Sequence, residues 1–515
     1  MTDLLLVNAN VVTMDPARPR ARELAVKGGR ILAVGEEGAL QYLKERQTQV
    51  IDLGGKTILP GFIDAHLHLR GLAESLITLK IGPADGVRSI ADIQEKIRRE
   101  SQKLPPGTWI RAGGYNEVYL AEKRHPNRTD LDAAAPRHPV KLTHRSGHAH
   151  VLNSLSLGLI KVSKETSEPL EGIIERDLEA GEPTGLFFGL GDFLSKLIPP
   201  IEEARLDDGV KLANQELLSC GITSVQDASS RNDYSRFQQM RRWKADGFLK
   251  GRVVMMLGLT GLEELLSGKF SFSELEIENH LRPGGVKIIL DETTGQLNPA
   301  QQELNQIVLS IHQAGLQAGI HAIEETAIES ALTALRNALQ IYPRPDHRHR
   351  IEHCSVCPPN LVDQIASLGV MAVTHPAFIY YSGERYLKTV PPSQLEYLYP
   401  MGTLLNGGVP IAAGSDAPIV PVNPLPGIYA AVSRKAENGD DVLTNEKVTV
   451  YEALRMYTAL AAMSAFEEKD KGALSPGRLA DVVVLSDNPA AVPEEEITGI
   501  QVEMTILGGE IAWTR

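Results

Sequence analysis

Three cysteines in 515 residues, Cys220, Cys354 and Cys357, are too few and too odd in number to staple a secreted scaffold. They fit a reducing compartment, and the expectation is a cytoplasmic protein. Cys354 and Cys357 form a C-x-x-C. It lacks the second pair that a zinc site would need and the helix start that a redox motif would need. The two read as small, partly buried residues beside His353. No apolar run reaches the roughly 18 residues that span a bilayer. The opening stretch MTDLLLVNANVVTMDP has an early acid, no basic region and no long apolar core, so it reads as a strand of the fold, not a signal peptide. An excess of basic residues is also missing. Lys and Arg number 52 against 65 Asp and Glu, a formal net charge of −13. Nucleic acids and anionic membranes want basic patches, so neither is an expected partner. No internal repeat or low-complexity tract is present.

What is there is a globular composition on a chain too long for one small core. Residues 3–14, 22–36 and 49–53 alternate apolar and polar side chains, with Gly28-Gly29 between two short runs. The same style returns at 481–485 and 501–514. Two β-rich ends around a long middle predict one β-sandwich made from both termini.

The middle alternates short apolar β-branched runs with helical stretches. Candidate strands lie at 61–69, 222–229, 252–259, 285–291, 316–323, 349–355, 370–378 and 409–417. Buried parallel strands alternating with helices predict an α/β fold, a (β/α)8 TIM barrel, for which eight is the closing number. About 150 residues separate the first two strands, far beyond a normal crossover. The expected domains are therefore a β-sandwich (1–58 plus 470–515), a barrel (59–71 plus 211–469) and a large insertion after barrel strand 1, residues 72–210, covering the barrel mouth.

Barrel active sites form at the carboxyl ends of the strands. The first strand ends in Pro60-Gly61-Phe62-Ile63-Asp64-Ala65-His66-Leu67-His68. Side chains alternate along a strand, so His66 and His68 share a side about 7 Å apart and can grip one metal ion. Later strand ends add Lys287, His321, His353 and Asp416, with His375 a further candidate. A lysine amid Gly-Gly-Val-Lys-Ile-Ile-Leu must be paired, neutralised or modified, because a buried bare ammonium is costly. Each residue alone has a bland reading: a hydrogen-bonded core histidine, or a turn acid after Ala-Gly-Ser. Four imidazoles, a lysine and a carboxylate on one rim are the joint signal.

The pieces PGFIDAHLHL (60–69), GVKIIL (285–290), IHA (320–322), RIEHC (350–354) and GSDAP (414–418) resemble the amidohydrolase superfamily. The likeness is to its family 3 branch, which includes N-substituted formamide deformylases. Residues 126–154 resemble that branch's insertion signature and 472–485 its C-terminal β motif. The resemblance covers almost the whole chain in the right order. It implies a metal centre in which His66, His68 and Asp416 hold one ion and His321 and His353 a second. An N-carboxylated Lys287 would bridge the two. Carboxylation would turn a buried cation into an anion and supply a hard oxygen. One or two divalent ions are expected, zinc suiting the donors best.

The expected reaction is hydrolysis of an amide-like C–N bond of a small molecule (N-acyl, N-formyl, carbamate or cyclic amide) by metal-activated hydroxide, with Asp416 as proton shuttle. His148, in Arg145-Ser146-Gly147-His148, is expected to reach the substrate or its oxyanion, a structural turn histidine being the alternative. His375 and Arg70 are further substrate candidates. After Lys287 many members continue with Asp-Gly, whereas this chain has Asp291-Glu292-Thr293-Thr294-Gly295, so substrate choice is expected to differ and Glu292 becomes a candidate contact. Glu352 alternates with His353 and is expected to face outward. His347 and His349 sit in a charged loop and read as solvated. The competing readings are an esterase, lactonase or deaminase on the same scaffold, and a non-catalytic protein that keeps the fold. Oligomeric state is open, a homo-oligomer included.

Overall fold

The chain reverses at Gly28-Gly29 between two strands, Glu23–Lys27 and Arg30–Gly35. Both glycines have positive φ, 56° and 74°, as a two-residue hairpin turn demands. With Leu4–Val7 and Gln49–Asp52 the hairpin makes a four-stranded sheet. The computed structural model describes residues 2–169, 172–275, 280–292 and 295–515, except for the side chain of Asp192. A second, six-stranded sheet takes Asn10–Val12, Arg20–Ala21 and Thr57–Pro60 from one end of the chain. It takes Val482–Leu485, Val502–Leu507 and Glu510–Thr514 from the other. The seam is antiparallel, Val482 opposite Pro60 and Leu485 opposite Thr57. Leu4, Leu6, Leu24, Val26, Ile58, Val482, Val484 and Ile506 share one buried cluster. That shared inner face is why these strands alternate. Both termini thus build one sandwich-like layer pair.

The barrel strands are Phe62–Leu67, Ile222–Asp227, Arg252–Leu257, Leu281–Ile289, Ala318–Ala322, Arg350–His353, Met371–Thr374 and Ile411–Ala413. They lie side by side in chain order, all parallel. Burial on both faces accounts for their continuous apolar runs. Helices such as Gln301–Gln313, Glu325–Ile341 and Pro359–Ser367 carry the chain back between strands. The ring closes just past the last strand. Asp416 N donates to the His66 carbonyl at 2.7 Å, and His68 N donates to the Ala417 carbonyl at 2.9 Å. Ser415 N donates to Asp64 Oδ1 at 3.1 Å. Gly414 permits the approach, since a Cβ there would fall 2.6 Å from His66 N and 2.7 Å from His66 O.

At the opposite end of the fifth and sixth strands the expectation of solvated His347 and His349 is corrected. Both are buried, together with His312. Of the loop's charges Asp346 faces water, while Arg348 pairs with Asp346 and Glu468. The imidazoles turn inward because backbone groups satisfy them. His349 Nδ1 accepts from Ala318 N, and His347 Nδ1 accepts from His349 N, each at 2.9 Å.

The chain divides into two compact units, Met1–Leu69 with Val210–Leu290 and Pro299–Arg515, and Arg70–Gly209 with Asp291–Asn298. Sandwich and barrel belong to the first. The second holds a six-stranded mixed sheet in the order Ile173–Arg176, Pro183–Phe188, Ala149–Leu152, Val140–His144, Ile110–Tyr115, Leu79–Lys80. Its core gathers Ile93, Ile97, Ile110, Leu131, Val140, Leu142 and Val151. Most of this unit is the segment between the first two barrel strands.

Candidate metal centre

Three histidines at barrel strand ends are held through Nδ1. His66 Nδ1 bonds to Glu352 Oε2 at 2.5 Å, His68 Nδ1 meets Ser229 Oγ at 3.2 Å, and His375 Nδ1 donates to the Gly414 carbonyl at 3.0 Å. Holding Nδ1 leaves Nε2 to take a ligand. His353, at the end of its strand, and Asp416, three residues past the last one, have positive φ, 72° and 57°. That backbone is rare for residues with a Cβ, and such strain gathers at functional sites.

Two ligand triples result, His66–His68–Asp416 and His66–His353–His375, in each of which the ligand atoms lie within 4.8 Å of one another. His66 belongs to both. Asp416 Oδ1 lies 3.0 Å from His68 Nε2 and 3.5 Å from His66 Nε2. The His66 ring centre is 5.1 Å from that of His353 and 5.0 Å from that of His375.

These residues fit a divalent ion. Burial drives the His66, His353 and His375 imidazoles below their ordinary range, and the Lys287 charge pushes His66 the same way. Coordination needs the neutral ring. Burial works against the Asp416 carboxylate, but the His68 and His66 rings beside it more than offset that and hold it well below the usual range. His375 Nε2 and Asp416 Oδ1 are buried without a hydrogen-bond partner. Each such orphan costs about 1–3 kcal/mol, a cost that a bound cation removes.

The expectation of an N-carboxylated Lys287 bridging two ions is overturned. The ligand clusters among the described residues are His/His/His and His/His/Asp. Lys287 Nζ lies 3.5 Å from His66 Nε2. Burial brings it down to about 8, against the raising influence of the Glu352 and Asp416 carboxylates. Those two acids balance the buried charge that modification was expected to remove. Glu352 is a second correction. Its side chain is fully buried against His66 and Arg350, not turned out to a helix. Strand alternation breaks at the positive φ of His353, so Glu352 and its neighbour both serve the barrel interior.

The His321 ring centre lies 4.3 Å from that of His353, but His321 is in neither triple. His375, expected as a substrate contact, is in one. Arg70, His148 and Glu292 fall in the second unit. There Arg70 Nε pairs with Glu74 Oε1 at 2.8 Å, one helical turn on. His148 is exposed, and its backbone N donates to Ser146 Oγ. Thr293 and Thr294 lie outside the described residues. Cys354 and Cys357 are free thiols and fully buried. Sequence reasoning missed Asp64, which accepts from both His66 N and Ser415 N and so ties the segments carrying His66 and Asp416 together. Its place two residues before His66, on the same side of the strand, was the available signal.

An eight-stranded parallel barrel with these imidazole and carboxylate clusters defines a metal-dependent hydrolase. The model of the amidohydrolase family matches residues 49–512. The chain belongs to that family, and it acts on an amide-like bond. It is 29% identical to an N-substituted formamide deformylase of Arthrobacter pascens, covering 100% of this chain and 99% of that one. It is likewise 29% identical to the putative amidohydrolase YtcJ of Bacillus subtilis, over 98% of each. Among solved structures it resembles an uncharacterized metal-dependent hydrolase of Pyrococcus furiosus, with a TM-score of 0.74 and 25% identity over 95% of this chain and 99% of that one. Among the described residues no helix is long and apolar enough to cross a membrane.

Proposed function

We propose that this enzyme hydrolyses the carbonyl–nitrogen bond of a small N-acylated compound, with Asp416 moving the proton. N-formyl amines, N-acyl amines, carbamates and cyclic amides make up the class. The observation that carries the reading is the Asp416 carboxylate. It is buried, has a partnerless Oδ1 and stands 3.0 Å from His68 Nε2. The end-to-end likeness to a formamide deformylase supports the N-formyl member of the class. His66, His68, His353, His375 and Asp416 would hold one or two ions, with His321 against His353 as a further donor. Imidazole and carboxylate donors suit zinc. When bound, the ion supplies Lewis acidity that polarises a carbonyl and makes water easier to deprotonate.

The other steps belong to side chains. Asp416 is ionised and accepts the proton that the attacking water gives up. It then returns that proton to the leaving nitrogen, which would otherwise depart as a poor amide anion. The three unpaired thiols suit a reducing cytoplasm. A panel of formamides, N-acyl amino acids, carbamates, esters and lactones, run with metal content measured per chain, tests the reading. The C–N substrates are expected to be turned over best, with activity lost and regained as the metal is removed and restored. Preference for esters or lactones would replace the reading with a lactonase or esterase. A protein that takes up no metal and turns over nothing would be a binding protein on this fold.

A further inference from the structure

His66 is the residue common to both ligand triples, so which of its ring nitrogens carries the proton decides whether either triple can close. Nδ1 is 2.5 Å from Glu352 Oε2, and a carboxylate can only accept there. Nε2 is 3.5 Å from Lys287 Nζ, and an ammonium can only donate. Both neighbours therefore ask for the same tautomer, proton on Nδ1 and lone pair on Nε2. Glu352 is itself held. Its Oε1 accepts from Arg350 Nε. The Arg350 guanidinium also donates to Gln226 Oε1 and to the Ala65 carbonyl. Gln226 in turn donates to the Ala461 carbonyl at 2.8 Å and to Ser464 Oγ at 2.9 Å. His66, Glu352, Arg350 and Gln226 are all buried to within 1% of complete. The chain Gln226–Arg350–Glu352–His66 thus runs through the barrel interior with donors and acceptors matched at every step. Buried networks satisfied in this way fix one arrangement.

We propose that Glu352 is the positioning residue of the metal centre, and that Arg350, by occupying the other carboxylate oxygen, makes Glu352 fix the metal-binding tautomer of His66. The proposal rests on the reading of His66 as a metal ligand and adds the device that prepares it. It makes an isosteric change informative. In Glu352→Gln, Arg350 offers only donors, so the new carbonyl must face Arg350. The amide nitrogen then faces His66 Nδ1 and can only donate. The ring proton moves to Nε2, where the ligand must bind. Partners behind a metal-binding histidine typically account for about 10- to 100-fold in affinity. In the double variant Arg350→Met/Glu352→Gln nothing at position 350 claims the carbonyl. The amide can turn over, accept from Nδ1 and return Nε2 to the metal.

The test uses the full chain and zinc itself, in competition with a chelator of known affinity. Thermal unfolding of the metal-free proteins monitors the fold. Glu352→Gln is expected to weaken zinc binding by about 10- to 100-fold, and the double variant to recover most of that loss. A folded Glu352→Gln that binds zinc as tightly as wild type overturns the proposal. So does a double variant no tighter than the single one. A second measurement needs neither variant to fold. In metal-free wild type labelled with ¹⁵N-histidine, the His66 signal, assigned by its loss in His66→Asn, should show a protonated Nδ1 and a bare Nε2. The opposite tautomer overturns the proposal. Failure of the wild-type chain to bind zinc at all would instead remove the metal-ligand reading, and would leave the tautomer result standing by itself.

Discussion

Lys287 Nζ stands 3.5 Å from His66 Nε2, beside the histidine that both ligand triples share. An ammonium there, balanced by the carboxylates of Glu352 and Asp416, is a neighbour of the ligands and not one of them. Lys287→Met should therefore keep the wild-type metal content per chain. Its zinc affinity should be equal or tighter, since a positive charge next to the ion has gone. Added bicarbonate should change neither quantity in wild type or variant. Equilibrium dialysis with elemental analysis reads all of these. A variant that emerges metal-free, or a wild type that needs bicarbonate to load, would contradict the arrangement.

Asp416 is asked to move a proton, and Asn at that position keeps the shape and loses the base. General acid–base groups typically contribute about 10²- to 10⁴-fold to rate. Asp416→Asn should lower kcat on the preferred C–N substrate by that order. Its melting temperature should stay close to that of wild type, because the backbone bonds from Asp416 N to His66 O and from His68 N to Ala417 O remain. Near-wild-type turnover in a metal-loaded variant would remove Asp416 from the proton path.

The positions that the ligand triples bring together were legible where the chain announces them locally. His66 and His68 follow a Pro-Gly turn on one strand. Asp416 follows Ala-Gly-Ser at the end of another. The joint terminal sandwich showed itself in the Gly28-Gly29 hairpin and in matching alternation near residue 482. What was misread depended on partners far away in sequence. Lys287 was judged without Glu352 and Asp416, which reach it from two other strands. Glu352 was placed by strand periodicity, which fails at the left-handed backbone of His353. His347 and His349 were judged by the charges beside them. The carbonyl and amide groups that pull them inward come from Leu368, Ala318 and His349's own backbone.

Gly414 offers a test of barrel closure. Its missing Cβ lets the last strand pass the backbone of His66, and the atoms in the way are main-chain N and O, which cannot swing aside. Overpacking of this kind costs about 1–3 kcal/mol. Gly414→Ala should lose that much stability in urea unfolding. It should also weaken zinc binding, because the shift falls on the strand ends that carry His66 and Asp416. Wild-type stability together with wild-type zinc affinity would show that the closure is looser than this packing implies.

The buried imidazoles at the other end of the barrel should make stability depend on pH with a definite sign. His349 Nδ1 accepts from Ala318 N, so its Nε2 carries the proton and donates to His312 Nδ1 at 2.9 Å. His312 Nε2 then donates to the Tyr342 carbonyl at 2.6 Å, and His347 Nε2 donates to the Leu368 carbonyl at 2.9 Å. No ring has a free position for a second proton. Burial lowers all three below the ordinary imidazole range. The Arg344 charge adds to this on each ring, and Asp346 opposes it only at His347. In the unfolded chain each returns to about 6.5. Below that pH the unfolded state binds more protons than the folded one. The contribution is therefore complete above about pH 6.5 and is lost as pH falls towards the depressed folded values, by up to about 1.4 kcal/mol per pH unit for each ring. Urea unfolding at pH 8, 6 and 5 should show this decline, and His347→Gln, with one titrating ring fewer, should show a shallower one. Stability that stays flat from pH 6.5 to 5, or an unchanged slope in the variant, would mean that the three rings are not held neutral by the fold.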